Sequence, residues 1–186
     1  NAMLGTVFTE WKRDQEARFY LERAVRILPK DYHSHNNLGI VYGRLGMTEE
    51  AAREFEKAMQ IMPGDITFLI NLAAVYLSAG EFQKAEAVLK SLLERQPGST
   101  NLHFRLFLVY KGKGDTLSAI STLEKVIQAT PEASTLYIDM ADLHLKGRGD
   151  PDQARAWLIK GIEAAPKGDL RRDEIRWMLQ DLDAGG

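Results

Sequence analysis

Four histidines, a pair of aspartates and one Gly-Lys run are the residues here whose type and spacing could do chemistry. His33 and His35 stand two apart, so on a helix they point to different sides and cannot share a metal ion. With His103 and His144 far away in the chain, surface and inter-helix packing roles fit the four histidines better than ligation. The run GKGDT at 112–116 has the glycine and lysine of a phosphate-cradling loop. The glycine required five residues before Gly-Lys is missing, and no strand precedes it. Asp139 and Asp142 lie three apart and share a helix face, a layout that suits acid–base work or a hard cation. Neither a nucleophile nor a third ligand in register accompanies them, and an acidic surface patch is the reading that remains. Trp11, Trp157 and Trp177 fall in amphipathic segments, as core or cap residues rather than a stacking platform. The sequence therefore predicts no catalytic residue, no metal and no cofactor.

Composition narrows the classes further. The chain has 186 residues, 45% of them hydrophobic, with 24 basic against 26 acidic side chains. Proteins that grip a phosphate backbone show a basic excess or stripe, so nucleic acid is not an expected partner. There is no cysteine, which excludes disulfides and thiolate metal sites. No run of 18 apolar residues exists, so membrane insertion is not expected. Asn1 and Ala2 ahead of Met3 read as the remnant of a cleaved tag.

The elements that position these residues are repeated. Pro29, Pro63, Pro97, Pro131 and Pro166 step by 34, 34, 34 and 35 residues. The same step joins Tyr42, Tyr76 and Tyr110; Gly46, Gly80 and Gly114; and Ala17, Ala51, Ala85 and Ala119, with Ala154 following 35 later. Within a unit, Ala51, Phe55, Ala58 and Met62 recur at helical spacing on one face. Gly46, Gly80 and Gly114 follow the first helix of a unit, where a left-handed residue stops the chain. Thr48 and Asp115 are expected N-caps of second helices, and the recurring proline ends each second helix. Helices are predicted near 32–45, 48–62, 66–79, 82–95, 100–113, 116–129, 133–146, 151–164 and 170–183. The GKGDT run and the Arg148-Gly149-Asp150 triplet, which matches an integrin-binding tripeptide, then both fall in helix–helix turns. The extra residue of the last step is expected in the KGRGD turn.

On Leu38-Gly39, Tyr42, Ala51, Phe55 and Pro63, the chain resembles the tetratricopeptide repeat family, a helix–turn–helix unit of this period. The opening tryptophan of the family pattern is replaced by His35, Leu69, His103 and Tyr137. The resemblance implies an all-α, right-handed superhelix of about five helix pairs. Units are expected at about 3–31, 32–65, 66–99, 100–132 and 133–166, with a capping helix and tail at 167–186. The first unit starts halfway through its first helix. Either the native chain starts at Met3 or a longer array is cut here, and the second fits better because an uncapped end exposes apolar surface.

The resemblance also implies that the first helix of each unit lines a concave groove that binds peptides. Residues expected there are Asn37, Ile40, Ile70, Asn71, Leu77, Phe104, Arg105 and Leu108, with Ile138 and Leu145 adding to an apolar centre. Exposed apolar area of that kind marks a binding site. Some family members grip peptide carboxylates with Lys, Asn, Asn, Lys and Arg; here those places hold Asn36, Ile40, Asn71, Asn101 and Arg105, of which only Asn71 and Arg105 match. The expected function is a non-catalytic protein–protein interaction scaffold with a peptide or helix of a partner in the groove. The alternatives are a regulatory or substrate-presenting repeat domain of a larger enzyme or assembly, and, further off, an RNA-binding helical repeat. A second copy of the chain, meeting the apolar groove or the shortened first repeat, is the other expected occupant.

Overall fold

The computed structural model describes residues 1–184, so the last two residues of the expected tail lie outside the described part. The helices are α1 (Ala2–Glu10), α2 (Asp14–Ile27), α3 (Tyr32–Arg44), α4 (Thr48–Ile61), α5 (Thr67–Ser78) and α6 (Phe82–Arg95). They continue as α7 (Thr100–Lys113), α8 (Thr116–Ala129), α9 (Ser134–Asp142), a π-helical turn (Leu143–Arg148), α10 (Pro151–Ala164) and α11 (Arg171–Ala184). Among the described residues there is no strand. Two compact units divide the chain, Asn1–Pro97 and Gly98–Gly186.

In the first unit, α1 pairs with α2, α3 with α4 and α5 with α6, while α2 packs on α3 and α4 on α5. In the second, α7 pairs with α8 and α9 with α10, and α11 closes against α10 and α9. The alanine row makes these pairs possible. Ala17, Ala51, Ala85, Ala119 and Ala154 are fully buried, as are Leu21, Phe55, Leu89, Leu123 and Leu158 one turn later. Facing them are small residues of the first helices. A Cβ on Gly5 would come within 2.6 Å of Leu21, and one on Gly39 within 2.8 Å of the Phe55 ring. Glycine costs about 1 kcal/mol in a helix interior, and here it lets the ring through. Ile175 of α11 is fully buried, and Met178, Leu179 and Leu182 pack around it, as their spacing predicts.

Turn chemistry is periodic too. Gly46, Gly80 and Gly114 hold φ of 75°, 75° and 73°, the left-handed conformation that stops each first helix. The residue 34 before Gly46 is Lys12, and it takes the same conformation at φ 56°. A side chain there costs about 1–2 kcal/mol, while glycine loses extra entropy on folding worth about 0.5–1 kcal/mol. Lys12→Gly is therefore expected to raise stability by up to about 1 kcal/mol. A denaturant midpoint that stays or falls would show that the turn is relaxed around Lys12.

Two expectations are corrected. Thr48 is the first helical residue rather than the cap; Met47 holds the cap position without a side-chain bond. Side-chain caps come instead from Asp31, Ser99, Asp115 and Asp150, which accept from the backbone N–H of His33, Leu102, Ser118 and Gln153. The extra residue of the 35-residue step does not lengthen a loop. It is wound into the π-helical turn that continues α9, and that turn ends at Gly149 with φ 64°. A π turn takes one more residue than an α turn to close, so the insertion is absorbed before the chain leaves the helix.

Candidate peptide-binding faces

The first unit presents an open groove of ≈ 740 Å³ along α3 and α5. Ile40, Gly43 and Arg44 line it from α3, and Asn71, Ala74 and Ser78 from α5. It exists because side chains there are small. Val75 fills the space over Gly43, where a Cβ would lie 2.3 Å from its Cγ2, so the two helices approach closely and form a floor. Ala74 leaves open the place that Leu108 takes one repeat later.

The charged residues at this groove are already compensated. One Arg44 nitrogen donates to the Thr9 carbonyl at 2.8 Å and to Asp14 Oδ1 at 3.2 Å. Glu81, also at the groove, pairs with Lys84. The asparagines form a ladder between first helices: Asn37 Nδ2 donates to Thr6 Oγ1 at 3.0 Å, and Asn71 Nδ2 to Asn36 Oδ1 at 2.9 Å. All three asparagines are half-buried, and the ladder fixes their amides. Tyr42 ties α3 to α2 through a 3.0 Å bond from its hydroxyl to Glu22. Burial, with that bond adding to it, pushes the phenol up to about 12, so it stays a donor at neutral pH. Ile40, expected in the groove, is also packed against the core around Phe55 and Val75. Ile70 and Leu77 are half-buried on α5.

Phe104, Arg105 and Leu108 belong to the second unit, so the eight expected residues form two sets rather than one list. All three are half-buried on α7. Phe104 meets Phe107 with ring centroids 5.8 Å apart, and Arg105 Nε donates to Asn101 Oδ1 at 2.9 Å. Asp139, which the repeat rows place beside Arg105, pairs instead with Lys111, and Asp142 pairs with Lys146 at 3.1 Å. The two aspartates are thus halves of ion pairs and not an acidic patch. Ile138 and Leu145, expected to add to the apolar centre, are half-buried and pack against the core of Ala141, Ala154, Leu158 and Ile175.

The remaining candidates resolve as follows. His35 is buried between α3 and α4, with Nδ1 2.6 Å from Glu54 Oε2 and Nε2 3.2 Å from the Pro29 carbonyl. His103 Nδ1 bonds the Ser99 carbonyl at 3.0 Å, and His33 is exposed. Among the described residues no group of three His, Cys, Asp or Glu is placed to hold a metal ion. Trp11 and Trp177, expected as core or cap residues, are exposed, and Trp157 is half-buried against Tyr137. Among the described residues no helix is long and apolar enough to cross a membrane.

Comparison with known proteins now adds to this geometry. The family model described as "Tetratricopeptide repeat" matches residues 44–103 and 111–172. No protein of curated function matches the chain by sequence. Among solved structures, MamA from Desulfovibrio magneticus is similar at 22% identity with a TM-score of 0.73, over 90% of this chain and 97% of that one. YrrB, described as a tetratricopeptide repeat protein with an unusual peptide-binding site, is similar at 17% identity and a TM-score of 0.66, over 92% and 88% of the two chains. A tetratricopeptide repeat protein from Parabacteroides merdae matches at 22% identity and a TM-score of 0.70, over 89% of this chain and 64% of its own. At such identities the likeness is one of fold. The sequence match, covering well over half of the residues, carries the assignment: the chain belongs to the tetratricopeptide repeat family.

Proposed function

We propose that this chain is a non-catalytic interaction module that holds an extended segment of a partner protein against its first helices. Members of the family generally mediate protein–protein contacts and are generally non-catalytic. YrrB, a neighbour in fold, is described by its peptide-binding site. The observation that carries the reading is the α3–α5 groove, floored by Ile40, Gly43, Ala74 and Val75 while Arg44 and Glu81 are paired within the unit. A site whose charges are already satisfied gains little from a charged ligand and much from an apolar side chain. Asn71 spends its amide N–H on Asn36, which leaves its Oδ1 to accept from a bound backbone. Phe104, Arg105 and Leu108 make a separate candidate face on α7 of the second unit, with Phe104 as its aromatic anchor.

Selection from a random peptide library on the full chain tests this, with counter-selection on Ala74→Leu. Ligands rich in uncharged apolar residues that Ala74→Leu rejects are expected. Charged consensus ligands, or ligands that bind Ala74→Leu equally well, would contradict it. A second copy of the chain is the competing occupant, since Met3, Trp11 and Phe19 expose large apolar side chains. Sedimentation across a concentration series separates the two.

A further inference from the structure

The π-helical turn carries a feature that peptide binding does not use. His144 sits inside it, only 7% exposed, and its Nδ1 is buried with no hydrogen-bond partner among the described residues. Buried polar atoms are nearly always bonded, and an orphaned one is a cost that a fold keeps only for a reason. The turn is also tightly seated. A Cβ on Gly147 would lie 2.6 Å from Thr116 Cγ2 and 2.7 Å from its Oγ1, so the turn is pressed onto the first residue of α8. On the other side the Asp150 N–H donates to the His144 carbonyl at 2.9 Å, and the Asp150 side chain caps α10. One residue segment therefore joins α8 to α10 through a histidine that has no bond to make in its buried ring position.

We propose that residues 143–150 form an acid-released latch: the neutral His144 ring lets the turn close on Thr116, and a protonated ring opens it. A charged imidazolium carries an N–H on both nitrogens, and here Nδ1–H would point into protein that offers no acceptor. The charged groups that face the ring are Asp150 at the start of α10, Glu124 on α8 and Arg148 on the turn itself. Burial is the largest influence and lowers the histidine below its ordinary 6.5; Asp150 raises it, Arg148 lowers it and Glu124 raises it, with the net shift downward. The folded state thus prefers the neutral ring. Closure is complete above pH 6.5 and is lost as the pH falls below that value towards the depressed native one. Between the two, the opened form binds one proton more than the closed form, so the opening constant rises by up to about tenfold per pH unit. Opening frees the α8 start and loosens the Lys146–Asp142 pair, whose lysine rides on the turn.

Hydrogen exchange on the full chain, corrected for the intrinsic pH dependence of exchange, tests the latch between pH 7.5 and pH 5. Protection factors at 144–150 should fall on acidification while those in α5 and α6, which hold no histidine, are unchanged. In His144→Leu, and equally in His144→Gln should the leucine variant not fold, protection of the turn should be independent of pH. The ring titration of His144, followed by NMR in the unsubstituted chain, should share the midpoint of the exchange change. Protection that is flat with pH in the unsubstituted chain, a fall that persists in the non-titrating variants, or a ring midpoint apart from the exchange midpoint would each overturn the proposal.

Discussion

Phe55→Ala should lower the stability of the first unit by about 3–5 kcal/mol, the cost of emptying a large buried aromatic site. The ring is fully buried, and it is surrounded by Ala51, Ala58, Phe68, Leu72 and Val75 from α4 and α5. Its edge lies where a Cβ on Gly39 would stand 2.8–3.0 Å from three ring carbons. Gly39→Ala alone should therefore cost about 1–3 kcal/mol by overpacking, despite the better helix propensity of alanine. In the Phe55→Ala background the clash is gone, and the same change should be neutral or stabilising by up to about 1 kcal/mol. That non-additivity is the signature of direct contact. A double-mutant cycle from denaturant midpoints with no coupling would mean that Gly39 is there for another reason.

The second large effect is expected at the groove. Ala74→Leu places the side chain of the next repeat's Leu108 into the space above Ile40 and Gly43. The chain already tolerates leucine at the equivalent place, so stability should change by less than about 0.5 kcal/mol, as for substitutions outside a packed core. Ligand affinity should fall at least tenfold, about 1.4 kcal/mol, because the ligand's apolar side chain loses its seat. For a ligand of the α7 face of the second unit, Phe104→Ala should cost at least ~2 kcal/mol. Phe104 is half-buried and leans on Phe107, so this variant must be compared with the wild type by calorimetry in parallel. Affinity that survives Ala74→Leu would remove the α3–α5 groove from the account.

Much of the architecture was legible because the repeat punctuates itself. Ala51, Gly46 and Pro63 each answer a steric demand that recurs every 34 residues, and such demands set helix spans to within a residue or two. What escaped the period is what depends on relative placement. Asp139 and Arg105 occupy equivalent rows, yet Asp139 takes Lys111 and Arg105 bonds Asn101, pairings that a row alone does not specify. Ile138 and Leu145 look like groove residues by row, and their contacts with the core around Ala154, Leu158 and Ile175 come from α10 and α11, which the rows do not contain. The π turn was invisible because an inserted residue can lengthen a loop or underwind a helix with the same count. Its one clue in the sequence was the 35-residue step from Pro131 to Pro166, and only packing shows that the helix absorbs it.

The candidate binding residues were chosen by row, and their groove properties follow from neighbours the rows do not contain. Arg44 was outside the expected set, and its bonds to Thr9 and Asp14 decide the charge of the site. No periodic signal marks it, since the 34-step equivalents are Ser78 and Gly112.

The most direct test of groove recognition is a chemical-shift footprint of a selected peptide on the isotopically labelled full chain. The account predicts that the largest changes fall on Ile40, Asn71, Ala74 and Ser78. Changes centred on the second helices α2, α4 and α6, with α3 and α5 unaffected, would contradict it.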